Sequence, residues 1–338
     1  MATRLEKLAK RRIDPNLHKA THLNEVYSSL PQTDSVRYVI GAMQPIDAEY
    51  TNNTYSQGDR VCKQLKSRLE TNCDYEYQGS VTNDTHIKAR SDIDILLLIG
   101  KFITIEVPQV PNYPYSGDPI QDLLELRADA IKILKEAFPL ASVDTSGSKS
   151  ISISGGSLSR KIDVVPSNWF NSNTYAEKKQ KIYRGVQILD SKNKRRLKNT
   201  PFLHNEMIDI KDSNTNGGLR KASRLLKSLK YDTETIEMSS YDLVSIAFRI
   251  PDGNLNVSRE MELTILNTCL DFCRELQSNI QKRQSLYVPD GHRKIFTQGH
   301  ATIEGLNQLT ASLDELVQDV LVENRRSFKK LAEARISY

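Results

Sequence analysis

At 338 residues, with 38% of them apolar or aromatic and 26% charged, the chain has an ordinary soluble composition and enough length for one or two well-cored domains. The formal net charge of +5 is mild for that length and does not demand a nucleic-acid partner. The first residues are charged and lack the apolar stretch of a secretion signal, and no apolar run approaches membrane-spanning length, so a cytoplasmic protein with no membrane partner is expected.

Residues 1–33 are polar and basic and read as a helical arm or a partly mobile lead. A long helical region follows to about Glu70, bent or broken at Gly41, Pro45 and the Asn52–Asn53 pair, with Val61, Leu65 and Leu69 as its apolar stripe. Residues 75–100 hold two strands joined by a short helical link. Residues 105–118, rich in Pro and Tyr, form a loop, and 119–137 read as an amphipathic helix through Ile120, Leu123, Leu124, Leu126, Ile131 and Leu134. Ser148–Ser154 alternates Ser and Ile, a strand with one wet face, and a turn at Gly155–Gly156 leads into another strand at 161–165. A strand at 181–189 precedes a basic stretch, Lys192–Lys198, read as a solvated turn. From about Pro201 the pattern is mostly helical, with long amphipathic stretches near 258–282 and 302–334. The sum is an α+β protein. A mixed-sheet lobe with N-terminal helices spans 1–200, a helical lobe spans 201–338, and a cleft between them would be the natural place for a site. There is no internal repeat and no low-complexity tract.

The chemistry concentrates in three acids. Ser91-Asp92-Ile93-Asp94-Ile95-Leu96-Leu97-Leu98-Ile99 reads as a strand ending at Gly100. Residues i and i+2 share a strand face, so Asp92 and Asp94 project together while Ile93 and Ile95 enter a core. Carboxylates this close resist ionisation unless a cation lies between them, and hard oxygen ligands suit Mg²⁺ or Mn²⁺. Asp163, in Ile162-Asp163-Val164-Val165-Pro166, stands between neighbours that face the other way, and a lone charge there is costly unless paired. An Asp-x-Asp pair alone is usually a solvated strand edge, and Gly79-Ser80 alone says almost nothing. The weight lies in their order and spacing.

A second feature is helical. After the turn Asn216-Gly217-Gly218, residues Leu219, Ala222, Leu225, Leu226 and Leu229 form one apolar face. Arg220, Arg224 and Lys227 line the opposite face, which from charge alone reads as an ordinary solvated surface. Cys62, Cys73, Cys269 and Cys273 form no Cys-x-x-Cys pair, and Cys269 and Cys273 read as buried thiols on a helix. His86 reads as a solvent-facing loop residue, Asn168 as a surface turn residue, and Pro289-Asp290-Gly291 as a turn.

Gly79-Ser80, Asp92-x-Asp94 and Asp163 together resemble the signature of polymerase-β-type nucleotidyltransferases. The wording of residues 79–94, with Thr85 after the Gly-Ser pair, and the Val-Pro after Asp163 resemble the bacterial cGAS/DncV-like nucleotidyltransferases, the CD-NTases of anti-phage (CBASS) signalling. The likeness runs from about residue 35 to about 310, and 218–227 and 239–243 are similar to the family's later Lys helix and Ser-Tyr helix start. The resemblance implies a polymerase-β-like fold and a template-independent enzyme that joins nucleoside triphosphates into a cyclic di- or trinucleotide second messenger. It implies two Mg²⁺ or Mn²⁺ ions on Asp92, Asp94 and Asp163, with in-line attack of a ribose hydroxyl on an α-phosphorus and release of pyrophosphate. It implies that Gly79, Ser80, Lys227 and Ser240, with Arg224, handle the triphosphate, and that a separate effector reads the product. A monomer is expected. Animal relatives carry an inserted zinc segment that reads DNA; no His-Cys cluster of that kind occurs here, so direct DNA sensing is not expected. An RNA- or tRNA-tailing or other nucleotidyltransferase on the same core, such as one that adenylylates a small molecule, and a catalytically silent regulatory homologue remain the alternatives. The bases joined, the linkage, the ring size and the trigger stay open.

Overall fold

The computed structural model describes residues 2–14, 32–298 and 301–336, with side chains to residue 326. The expectation for 1–33 therefore falls partly outside the described residues. In chain order the helices are α1 (Arg4–Arg12), α2 (Asp34–Met43), α3 (Ala48–Arg68), α4 (Pro119–Ala137), α5 (Asn173–Lys178), α6 (Pro201–Asn214), α7 (Gly218–Asp232), α8 (Ser240–Arg249), α9 (Asp252–Leu255), α10 (Thr264–Ser278), α11 (Ile280–Ser285) and α12 (Ile303–Ile336). The strands are β1 (Cys73–Gln78), β2 (Ile93–Ile105), β3 (Ser142–Asp144), β4 (Ile151–Gly155), β5 (Leu158–Asn171), β6 (Arg184–Asp190) and β7 (Arg195–Asn199). The chain divides into two compact units, one of 47–84 with 90–206 and one of 1–46 with 85–89 and 207–338.

The first unit is a seven-stranded mixed sheet with order β1-β2-β5-β4-β3, from which β6 pairs with the far half of β5 and β7 with β6. Only β2 and β5 run parallel; the other pairings are antiparallel. Both central strands are buried on two faces. Ile93, Ile95, Leu97 and Ile99 pack with Ile162 and Val164 against Val61 and Leu65 of α3 and Leu123, Leu126 and Leu134 of α4. Leu96 and Leu98, on the other face, pack with Val165, Trp169 and Val186. Strand β2 does not stop at Gly100. Its N–H donates to the Asn72 carbonyl at 2.8 Å, and a Cβ at this position would stand 2.8 Å from the same oxygen. Here glycine marks a close backbone approach inside a strand rather than its end.

Other boundaries moved for local reasons. The α3 helix runs through Asn52–Asn53, while the break falls at Gln44–Asp47, where the Asp47 side chain caps the Glu49 N–H. Asn53 bonds along its own helix to Gln57 and across to Ser159, which removes the local competition that makes Asn a helix breaker. The link at 79–92 is a series of turns, not a helix. The basic stretch at 192–198 is a turn only in its first half; Arg195 to Asn199 is an edge strand, where exposed cations discourage further pairing. The α4 helix has the expected bounds, begun by Asp118 accepting from the Ile120 and Gln121 N–H groups with Pro119 in the first turn.

The second unit is helical around one core of Leu, Ile, Val and Phe side chains drawn from α1, α2, α6 to α8, α10 and α12. The buried thiols Cys269 and Cys273 lie in it as expected. At its edge Arg11 donates to both oxygens of Asp232, at 2.6 and 2.8 Å, and Tyr38 Oη donates to Asp232 at 2.7 Å. Arg11 and Asp232 are almost completely out of solvent. A buried ion pair adds little relative to an apolar pair, but breaking one leaves an unpaired buried charge. Asp232→Ala is therefore expected to cost about 3–5 kcal/mol, read as a lower urea midpoint, against roughly 1 kcal/mol for Tyr38→Phe.

Candidate active site

The parallel register of β2 and β5 sets Ile93 beside Ile162 and Asp94 beside Asp163. By the two-residue period, Asp94, Leu96 and Leu98 share one face, and Lys161, Asp163 and Val165 share the matching one. Asp92 lies just before β2, and Asp94 and Asp163 cap the apolar face that Leu96, Leu98 and Val165 begin. Asp94 feels both of the other acids. Burial first, then the charges of Asp163 and Asp92, push the Asp94 carboxyl up to about 7, with Lys161 opposing. No donor among the described residues hydrogen-bonds to the Asp94 carboxylate.

The neighbours are differently placed. Lys161 Nζ lies 3.1 Å from Asp163 Oδ2 and 3.7 Å from Asp92 Oδ2. The Ser152 hydroxyl, opposite Asp163 on β4, donates to Asp163 Oδ1. Desolvation alone would lower the Lys161 ammonium, but the bond to Asp163 and the charges of all three acids raise it. Sequence reasoning missed both residues. The signals were there: Lys161 is two before Asp163, and Ser152 lies in the alternating Ser-Ile run.

Gly79-Ser80 follows β1, whose last residue, Gln78, pairs with Asp94. Gly79 has φ +94°, and a Cβ there would overlap Asp94 Oδ2, so the backbone turn lies against this carboxylate only because no side chain intervenes. Ser80 is half-buried in the turn. Thr82 Oγ1 closes the turn onto the Gly79 carbonyl at 2.7 Å, and Asn205 Nδ2 braces Thr82 at 3.1 Å. Gly79, Ser80, Asp92, Asp94 and Asp163 are thus all in the sheet unit.

Among the described residues no three His, Cys, Asp or Glu side chains are already gathered as a metal cage. The donor set nevertheless suits a hard divalent cation. It offers carboxylate oxygens, one desolvated carboxylate without a donor, and an ammonium standing where positive charge is wanted.

Lys227, Arg224 and Ser240 belong to the helical unit. The basic side of α7 is not a solvated face. Arg224 is buried and donates to the Met43 carbonyl at 2.9 Å; Lys227 is buried and donates to the Thr85 carbonyl at 2.6 Å. Burial first, then Arg224, Lys230 and Lys88, bring the Lys227 ammonium down to about 7. Arg220 differs again, pairing with Asp209 and Asp212. Ser239, not Ser240, caps α8 by accepting from the Asp242 N–H, and Ser240 is the exposed first residue of that helix. His86 is buried at 2% exposure, not solvent-facing. Asn168 lies fully buried within β5, bonded to Thr104 and the Trp169 carbonyl, rather than on a surface turn. Asp290 sits in the expected turn. No helix of the described residues is long and apolar enough to cross a membrane.

Acids on neighbouring parallel strands behind a glycine-serine turn, in a mixed sheet of this order, define a nucleotidyltransferase of the polymerase-β type. No family model matches the chain. A cyclic dinucleotide synthase, CdnE, from Yersinia aleksiciae is 40% identical over 313 residues, 91% of this chain and 82% of its own length. A c-di-GMP synthase from Capnocytophaga granulosa is 31% identical over 320 residues, 87% of this chain and 89% of that one. The solved structure of a STING-associated CdnE c-di-GMP synthase from Capnocytophaga granulosa matches with a TM-score of 0.78 at 28% identity, covering 94% of this chain and 98% of the other. The chain belongs to the CdnE cyclic dinucleotide synthases, within the cGAS/DncV-like nucleotidyltransferases. It is an enzyme that makes a cyclic oligonucleotide, as its motifs led one to expect, and the α+β fold is the expected one.

Gly79→Ala is expected to keep the far-UV circular dichroism of the parent and to lose at least about tenfold in product formation, because the added methyl must push Asp94 aside at a positive φ. A second expectation concerns pH. The Asp94 value lies above that of an unfolded chain, so its contribution to stability is full at low pH and is lost as pH rises through about 7. A divalent ion held at this carboxylate would relieve that loss. The Mg²⁺-induced rise in melting temperature should be clear at about pH 8 and nearly absent at about pH 5.5, where the ion must displace a proton.

Proposed function

We propose that this chain joins two nucleoside triphosphates into a cyclic dinucleotide at Asp92, Asp94 and Asp163, and that c-di-GMP is the product to seek first. The observation that carries the reading is the in-register pair Asp94 and Asp163, crowded beside the Gly79-Ser80 turn with a carboxyl pushed up to about 7. The choice of c-di-GMP rests on relatives at 30% and 31% identity that bear that name.

In this reading the three carboxylates hold Mg²⁺ or Mn²⁺, which would stabilise the entering and leaving oxygens of an in-line displacement. Asp163, braced by Ser152, is the acid nearest the attacking ribose hydroxyl. Ser80 and the Gly79 backbone approach the β- and γ-phosphates, where the missing Cβ leaves room. Lys227 binds the triphosphate with Arg224 behind it. A polyanion beside Lys227 would restore the charge that burial weakens. Ser240, exposed at the start of α8, is the companion hydroxyl. The chain acts as a monomer, and a separate effector reads the product in anti-phage signalling.

The test is incubation of the purified chain with all four triphosphates and Mg²⁺ or Mn²⁺, followed by phosphatase treatment and mass spectrometry. A phosphatase-resistant cyclic dinucleotide is expected, with the guanine product dominant. Asp92→Ala with Asp94→Ala should lower its yield by more than about 10³-fold, on the order of 4 kcal/mol of barrier, with the melting temperature retained. A linear tail on added RNA, or full activity in the double variant, would overturn the proposal.

A further inference from the structure

Lys161 is a cation that the sequence motifs do not ask for. It is two residues before Asp163 on β5 and projects from the same strand face. The register that sets Asp94 beside Asp163 brings Lys161 beside Asp92, so four charged groups form a two-by-two array of three carboxylates and one ammonium. Its Nζ spans the array, 3.1 Å from Asp163 Oδ2 and 3.7 Å from Asp92 Oδ2. The other oxygen of Asp163 is taken by Ser152. The Lys161 side chain is 43% exposed, whereas Asp163 is 15% exposed. The ammonium thus sits on a flexible stem at the open side of the array, between Asp163, which is largely buried, and Asp92, which is 56% exposed.

A single positive charge offsets only part of three negative ones, yet it lies within contact distance of two of them. It lowers their mutual repulsion while no divalent ion is bound. Once a divalent ion arrives, the same ammonium is a like charge at close range and becomes repulsive. Its exposed stem lets it swing into water without disturbing the sheet.

We propose that Lys161 is a positioning residue, a tethered counter-cation that holds Asp92 and Asp163 in place before metal binding and is displaced by the divalent ion, so that it sets the metal concentration the enzyme requires. This rests on the metal-binding reading of the three acids given above. Lys161 acts on the acids and not on the nucleotide.

The experiment is titration of the full chain with Mn²⁺ alone, without nucleotide, following free aqueous Mn²⁺ by electron paramagnetic resonance. Wild type is compared with Lys161→Met, Lys161→Arg and Asp163→Asn. Lys161→Met should bind Mn²⁺ at least about tenfold more tightly than wild type, since a unit charge a few ångströms away is removed. Lys161→Arg should stay within about threefold of wild type, since it keeps the charge. The metal-free Lys161→Met protein should melt below wild type and regain the difference with Mn²⁺, a response that loss of packing alone would not give. Unchanged or weaker Mn²⁺ binding by Lys161→Met would overturn the proposal while leaving the metal reading intact. A raised KM for triphosphate with unchanged Mn²⁺ binding would also overturn it, placing the lysine on the nucleotide instead. If wild type binds no Mn²⁺, or Asp163→Asn binds it as well as wild type does, the metal reading fails and this proposal falls with it.

Discussion

Two carboxylates set side by side by a parallel strand register are the constraint on which the sheet unit depends. Asp94 and Asp163 cannot move apart without breaking the β2–β5 ladder, and that ladder is buried on both faces by Ile, Leu and Val side chains. The core therefore holds the acids in an arrangement that electrostatics alone would refuse. Everything around the pair reflects this. Glycine stands where a methyl group would touch Asp94, serine donates to Asp163, and a lysine crosses from Asp163 to Asp92. Local rules are broken at the proposed site, and intact packing beneath compensates.

The helical unit shows a second way to keep charge out of water. Arg11 has a carboxylate beside it, to which Tyr38 also donates. Lys227 has the Thr85 backbone carbonyl instead. A carbonyl satisfies a donor but does not neutralise a cation, so Lys227 remains electrostatically unfinished. Burial of Lys227 without a carboxylate partner is what brings it down to about 7. An unfinished buried cation is more suited to receiving an anion than to holding the fold together.

Much of this was legible in the sequence, and the failures have physical causes. The α4 helix and the strands bearing the acids could be read because periodicity and capping agreed there, at Asp118 and in the alternation around Asp94 and Asp163. Gly100 misled, because glycine inside a strand for the sake of a neighbouring carbonyl looks like glycine ending a strand. Asn52–Asn53 misled because their helix-breaking habit is local, and Ser159 lies 106 residues from Asn53 in sequence. Charge alone points the basic side of α7 to solvent, and a loop position does the same for His86, because polar groups ordinarily mark the surface; tertiary packing buries Arg224, Lys227 and His86. Lys161 and Ser152 were visible as letters, but their meaning depends on register, which no single strand carries.

The segment from Thr85 to Ala89 belongs with the helices, although the sheet unit supplies the residues on either side of it. Its carbonyl at Thr85 receives Lys227, its amide at Ala89 donates to the Arg11 carbonyl at 2.9 Å, and Lys88 lies over the Tyr231 ring. The polypeptide crosses from one unit to the other four times, near residues 46, 84, 89 and 206. Neither part can then be inherited as a cassette. A recombination event that swapped only 90–206 would leave α3 and β1 of the same unit behind, so no single crossover-bounded stretch carries the whole sheet.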